Sequence, residues 1–200
     1  MKKICFLYTE TTGLHNSYKP VSKKELYNLA RMVSLNYEIG YLEDSTYIQE
    51  KAVRIIAKPR TMFIPKETEV FHNISQELAL KEGTDPEEII HTLKNDLEEY
   101  KVSILVSHNV DFHLKTILGE VVRYNVILDV SKYIIIDTVS FYHSYGMIKL
   151  KELATKLKVK DIPENTSEYP ELIRNVFFKL YKKFTKEISK ENNSKENNPK

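Results

Sequence analysis

Residues 6–14 read Phe-Leu-Tyr-Thr-Glu-Thr-Thr-Gly-Leu. A phenol (Tyr8), a carboxylate (Glu10) and the hydroxyls of Thr11 and Thr12 thus crowd the end of an apolar run, followed by Gly13 and Leu14. A second polar set, His108, Asn109 and His113, follows the apolar run 102–106, and His72 and Asn73 stand between the two. Acids, imidazoles and hydroxyls are the groups from which proton transfer, phosphate contact and cation binding are built. Lys149, Lys151, Lys156, Lys158 and Lys160 offer phosphate contacts, but on an amphipathic helix and its exit loop they read first as a solvated face. Residues 177–184, Phe-Phe-Lys-Leu-Tyr-Lys-Lys-Phe, mix bases with aromatics. That pattern reads as a terminal helix packing its rings inward. The chain has no glycine-rich phosphate loop, no Ser-His-Asp pattern and no metal-spaced Cys/His cluster. Its single cysteine, Cys5, excludes an internal disulfide and sits in an apolar run as a small buried hydrophobe.

Two hundred residues, 42% of them hydrophobic, suffice for one globular domain with a real core. Thirty basic residues are nearly matched by 28 acidic ones, for a net charge of +2. Any surface for a polyanion must therefore come from how charge is distributed, not from its total. Lys2 and Lys3 precede an apolar run too short for a secretory signal, and no stretch approaches the ~18 apolar residues of a membrane span. A soluble, intracellular protein is expected. Abundant Lys, Asn, Ile and Tyr with no Trp fit an AT-rich genome, such as that of a large DNA virus or an AT-rich microbe.

Elements that would position these groups follow from periodicity. Residues 3–8 form a short apolar run, read as a central strand. Residues 32–39 alternate apolar and polar, the mark of a half-covered strand, and 47–58 read as its hairpin partner across the turn at Glu43-Asp44-Ser45. Ser75 caps a helix that buries Leu78 and Leu80 and stops at Gly83. Asp85-Pro-Glu-Glu opens another, with Ile89, Ile90, Leu93 and Leu97 at helical spacing. Residues 102–106 form a buried strand, a helix resumes near Phe112, and 133–136 form a last strand. Further helices are expected at 138–144, 149–157 and 168–188. From residue 186 the repeated Ser-Lys-Glu-Asn-Asn unit has nothing to bury. An ordered domain over 1–185 and a disordered charged tail over 186–200 are expected. Strands followed by alternating helices and strands make an α/β sheet covered on both faces.

Several passages resemble the DEDDh 3'–5' exonucleases of the proofreading-subunit type. Tyr8-Thr-Glu10-Thr11-Thr12-Gly13-Leu14 is similar to their first motif, Asp-x-Glu-Thr-Thr-Gly-Leu. Ile64-Pro65 through His72-Asn73-Ile74-Ser75 resembles their Ile-Pro…His-Gly-Ile-Thr passage, and 107–114, Ser-His-Asn-Val-Asp-Phe-His-Leu, their second motif. Asp137-Thr138 and Leu150-x-x-Leu153-Ala-x-x-Leu157 resemble two later landmarks. The resemblance covers roughly residues 3–183 and implies an RNase H-like fold, a five-stranded mixed sheet flanked by helices with its second strand antiparallel.

The resemblance also implies a damaged site. The family holds two divalent cations with four acids and uses a histidine as general base. Carried over position by position, Tyr8 replaces the first Asp, Glu10 is retained, His113 replaces the second-motif Asp, and the third motif falls on Asn165 through Pro170. Glu10 is then the single family metal ligand kept. Hard cations need oxygen donors, and magnesium binds nitrogen poorly, so no cofactor is expected. Magnesium or manganese belongs here only if Asp111, Asp161, Glu164 or Glu168 substitutes. A single zinc or manganese ion on Glu10, His113 and one more acid is the other alternative. The implied reading is a catalytically inactive exonuclease homologue acting as an accessory factor. Its partner would be DNA or RNA in a groove formed by Thr11, Thr12, Gly13, Leu14, His72, Asn73, His108 and Asn109, of which His108 and Asn109 are partly structural. A protein partner in a replication, transcription or virion complex is the other form of that reading. An active nuclease with substitute ligands and a purely structural assembly protein are the alternatives.

Overall fold

The structure is a computed structural model that describes residues 2–141 and 147–196, with side chains described through residue 185. Its centre is β1 (Lys3–Thr11), whose side chains alternate between faces as a pleated strand requires. Ile4, Phe6, Tyr8 and Glu10 share one face; Cys5, Leu7 and Thr9 share the other. β2 (Met32–Glu43) runs antiparallel to β1, and β3 (Thr46–Ile56) antiparallel to β2. The hairpin turns at Asp44 and Ser45, whose φ of 47° and 66° suit the left-handed turn that matches strand twist. β4 (Val102–Ser107) and β5 (Ile134–Asp137) extend the other side in parallel, giving the order β3-β2-β1-β4-β5.

Among the described residues six α-helices cover this mixed sheet: α1 (Lys66–His72), α2 (Gln76–Glu82), α3 (Pro86–Glu99), α4 (Val110–Arg123), α5 (Leu150–Lys156) and α6 (Tyr169–Glu196). α3 and α4 pack on the face that carries Cys5 and Leu7, and bury Ile89, Ile90, Leu93, Leu97 and Ile117. α5 and α6 pack on the face that carries Ile4 and Phe6, and bury Leu153, Leu172, Ile173, Val176 and Phe177. α3 begins as its sequence predicts, with Asp85 accepting the Glu87 N–H at 2.9 Å and Pro86 in the first turn. Among the described residues no helix is long and apolar enough to cross a membrane.

Four expectations need correction. β2 is not half-covered: Met32 through Gly40 are all buried, because α6 lies over the face that carries Ser34, Asn36 and Glu38. There, Arg174 of α6 reaches the Glu38 carboxylate at 3.2–3.3 Å. α2 is capped by Ser75 as expected, but it buries Ala79; Leu78 is half-buried and Leu80 exposed. Seven residues make two turns, and the face they turn inward is the one with the small residue. The helix expected over 138–144 is a single tight 3-10 turn over Thr138–Phe141, and 142–146 lie outside the described residues. The backbone of α6 is helical to Glu196, past the helix end expected at 188. After Pro170 in its first turn there is no proline before Pro199; residues 197–200 lie outside the described residues. α1 has no apolar stripe and was not legible as a helix; its start follows Pro65, and Asn73 ends it in a left-handed conformation with φ 56°.

Candidate functional site

β1 ends in a bulge between Glu10 and Thr11, and delivers Tyr8 and Glu10 to the face under the first turn of α6. The Tyr8 ring packs against the His113 imidazole at 4.5 Å between centroids and edge-on against Tyr169 at 4.8 Å. Tyr169 is itself covered by the Lys151 ammonium, 5.7 Å from its ring centre. Glu10 is buried beside this aromatic group, and its Oε1 has no hydrogen-bond partner. Burial pushes its carboxyl up to about 7, with a hydrogen bond from the Thr166 side chain pulling the other way. Burial, then the nearby Glu10 charge, raises the Tyr8 phenol, so it stays neutral.

His113 comes from α4 and is buried with both ring nitrogens used. Nδ1 accepts the Thr9 backbone N–H at 3.1 Å and lies 2.9 Å from the Thr9 hydroxyl. Its second nitrogen is left to donate to the His108 carbonyl. Burial drives its pKa down to about 3, against the pull of that carbonyl. The ring is therefore a neutral imidazole with no lone pair facing Glu10.

The remaining candidates divide between scaffold and surface. His108 is buried; its Nε2 donates to the Ile148 carbonyl at 2.7 Å, and its Nδ1 meets the Thr138 hydroxyl at 2.8 Å. Burial lowers its pKa. It ties the end of β4 to the chain before α5. Asn109 enters α4 with φ 63°, and the N–H groups of Asn109 and Val110 donate to the two oxygens of Asp137 at 2.9 Å each. Asp137→Ala is expected to cost about 1–2 kcal/mol in urea unfolding, the usual worth of such a cap. Thr11 donates to the Gly13 carbonyl at 2.6 Å, and the Thr12 hydroxyl accepts the Arg31 N–H at 3.0 Å. Both hydroxyls hold the loop after β1. Gly13 has φ 146°, a conformation side chains rarely adopt, and Leu14 projects into solvent at 80% exposure. His72 is buried with Nδ1 accepting the Ile74 N–H, whereas Asn73 is exposed. Asn165 caps the turn before α6 by accepting the Ser167 N–H at 2.9 Å, and Pro170 is buried in the first turn of α6.

Sequence reasoning placed Tyr8, Glu10 and His113 together and missed Tyr169, Thr166 and Thr9. The segment 165–170 does reach the site, but through Tyr169 and Thr166, not through Asn165 or Pro170. No composition signal marks a tyrosine at a helix start as the neighbour of a ring far back in the chain.

These residues do not fit a pair of divalent cations. One buried carboxylate lies beside the Tyr8 phenol, and the Nδ1 lone pair of His113 is already taken by the Thr9 N–H. Asp111, Asp161, Glu164 and Glu168 are all exposed. Among the described residues no three His, Cys, Asp or Glu side chains are grouped closely enough to hold a metal ion.

The strand order, the parallel placement of β4 and β5 and the antiparallel β2 define an RNase H-like fold. Solved structures agree. The chain is similar to exonuclease I from Methylocaldum szegediense (12% identity, TM-score 0.67), covering 92% of itself and 41% of that chain. It is similar to E. coli exonuclease I in complex with a 5cy-dA13 oligonucleotide (13%, TM-score 0.64), with 92% and 41% covered. It is also similar to the Mg2+- and Mn2+-bound form of S. pombe Pop2p (13%, TM-score 0.63), with 88% and 82% covered. At such identities the likeness shows the fold alone, and the chain spans about two fifths of the exonuclease I chains. No family model and no curated protein matches the sequence.

Proposed function

We propose that this chain binds nucleic acid without cutting it, as an accessory factor built on the exonuclease fold. The observation that carries the reading is the packing of Tyr8 against His113 and Tyr169 beside a buried, partly protonated Glu10. Two-cation phosphodiester hydrolysis needs clustered charged oxygens to hold its ions and activate water. A carboxyl with a pKa near 7 inside an aromatic plug supplies neither. Loss of acids also removes repulsion toward phosphate, which favours binding over cleavage. E. coli exonuclease I has been solved with dA13, dA16 and dT13 oligonucleotides, so the fold is one that accommodates a single strand.

Purified protein incubated with end-labelled single-stranded DNA and RNA, in magnesium or manganese, is expected to leave both intact while retaining them at low salt. Retention should weaken as salt rises, because phosphate contact releases counterions. Metal-dependent shortening that Glu10→Gln abolishes would overturn the inactive reading. Absence of retention even at low salt would favour a purely structural role.

A further inference from the structure

An open cleft of about 450 Å³ lies between the loop after α5 and the middle of α6, lined by Lys158, Val159, Lys160 and Asp161 of the loop and by Asn175, Phe178, Lys179 and Lys182 of the helix. The helix residues fall on one stripe, at i, i+3, i+4 and i+7. The loop is shaped by two left-handed residues, Lys158 at φ 54° and Asp161 at φ 56°. It is held against α5 by the Lys158 and Val159 N–H groups, which donate to the Thr155 and Ala154 carbonyls.

Charge here is segregated. In a chain with 30 basic and 28 acidic residues, four lysines meet one acid around this cleft. Neighbouring bases are neutralised: Lys156 pairs with Glu152 at 2.9 Å and Arg174 with Glu171 at 2.9 Å. Among the described residues, Lys158, Lys160, Lys179 and Lys182 make no ion pair, and they ring the mouth of the cleft. The floor is apolar: Val159, and part of the Phe178 ring, whose remainder packs on Phe6, Tyr47 and Phe177. A cationic rim over an aromatic floor is the form in which folds bind single strands, with lysines on phosphates and apolar surface under bases or sugars. A duplex, with its bases stacked inside, has nothing to offer such a floor.

We infer that this α5–α6 cleft takes the sugar-phosphate backbone of single-stranded nucleic acid, as a contact separate from the groove at the end of β1. The inference rests on the nucleic-acid reading above and adds a place to it. Tyr169, at the groove, and Asn175, at the cleft, are six residues apart on one helix, about 9 Å along its axis at 1.5 Å per residue. They are also about 120° apart around that axis, so a strand that reaches both must wrap part of the helix.

The test uses the whole chain and fluorescein-labelled oligo-dT and oligo-U of about 20 nucleotides, titrated by anisotropy between about 50 and 200 mM salt. The variants are K158Q/K160Q/K179Q/K182Q, its all-arginine counterpart, and L14A/N73A as a groove control. The glutamine variant is expected to bind about tenfold or more weaker at the lowest salt. Its slope of log affinity against log salt should be shallower by about 3, at roughly 0.7 for each phosphate no longer neutralised, and the arginine variant should restore both. If the glutamine variant matches wild type while L14A/N73A loses affinity, the cleft is wrong and the binding function stands. If wild type binds neither oligonucleotide at the lowest salt, both fall. If a poly-glutamate peptide of similar charge binds as tightly as oligo-dT, the cleft faces an acidic protein and the inference is overturned.

Discussion

Glu10→Gln is expected to stabilise the protein by roughly 3 kcal/mol at about pH 8 and to change little below pH 4.5. In the folded chain the Glu10 carboxyl sits at about 7, against an ordinary value of 4.5, chiefly because it is buried. Between those values the unfolded chain has released its proton while the folded chain still holds one. Stability therefore falls as pH rises from about 4.5 to 7, and above 7 the folded state carries the full cost of a buried carboxylate. Glutamine has nearly the same shape and no charge, so the cost vanishes. At low pH a protonated carboxyl and an amide are close to equivalent.

Other groups titrate in the same range, which is why the difference between variant and wild type is the quantity to measure. Glu38 is also raised to about 7, its burial outweighing Arg174, and contributes a fall of the same sign. His113, driven down to about 3 by burial, contributes the opposite sign: the unfolded chain binds its proton first, so stability rises with pH until about 6.5. His15, His72 and His108 are also lowered and act in the same direction. The groups set beside Glu10 are the Tyr8 phenol, which burial keeps neutral, and the Thr166 hydroxyl. Urea unfolding of wild type and Glu10→Gln from about pH 4.5 to 8, with and without magnesium, isolates its part. A variant less stable than wild type at pH 8, or wild type stabilised by magnesium while the variant is not, would mean that Glu10 serves a cation.

How much of this could be read in advance follows from the range of each interaction. β1, α3, β4 and α4 announce themselves through local periodicity and caps, and Tyr8, Glu10 and His113 through their places in short motifs. β2 misled because alternation reports polarity, not cover: Ser34, Asn36 and Glu38 look solvent-facing until α6 lies over them and Arg174 answers Glu38. Tyr169 was invisible for the same reason. Its contact with Tyr8 depends on where a helix start lands after more than 150 residues of intervening chain, and no local pattern encodes that. The state of His113 depends on a backbone N–H of Thr9 that every sequence possesses. The cationic cleft sits between these limits: its lysines on the α5 loop and on α6 look like two ordinary solvated faces, and only the packing of one against the other makes them a site.

Tyr8→Asp, which would set a second carboxylate beside Glu10, is expected to cost about 3–5 kcal/mol and to gain no metal site. The ring it removes packs on both His113 and Tyr169, and truncating a packed aromatic leaves a cavity of that worth. The new carboxylate would stand beside Glu10, where two like charges in a dry site raise each other's pKa. A dication could relieve that repulsion only if further donors were present. His113 Nδ1 is taken by the Thr9 N–H, and Tyr169 packs on the ring that the substitution removes. Tyr8, His113 and Tyr169 are thus coupled through packing, and changing Tyr8 alone leaves a void and an uncompensated charge. Thermal or urea unfolding in about 10 mM magnesium is expected to recover less than about 1 kcal/mol, against ~2.7 for a ligand at a hundredfold excess over its Kd. Recovery of that larger size, or metal-dependent cleavage by the variant, would show that a cation pocket survives behind the tyrosine and that a single side chain silenced it.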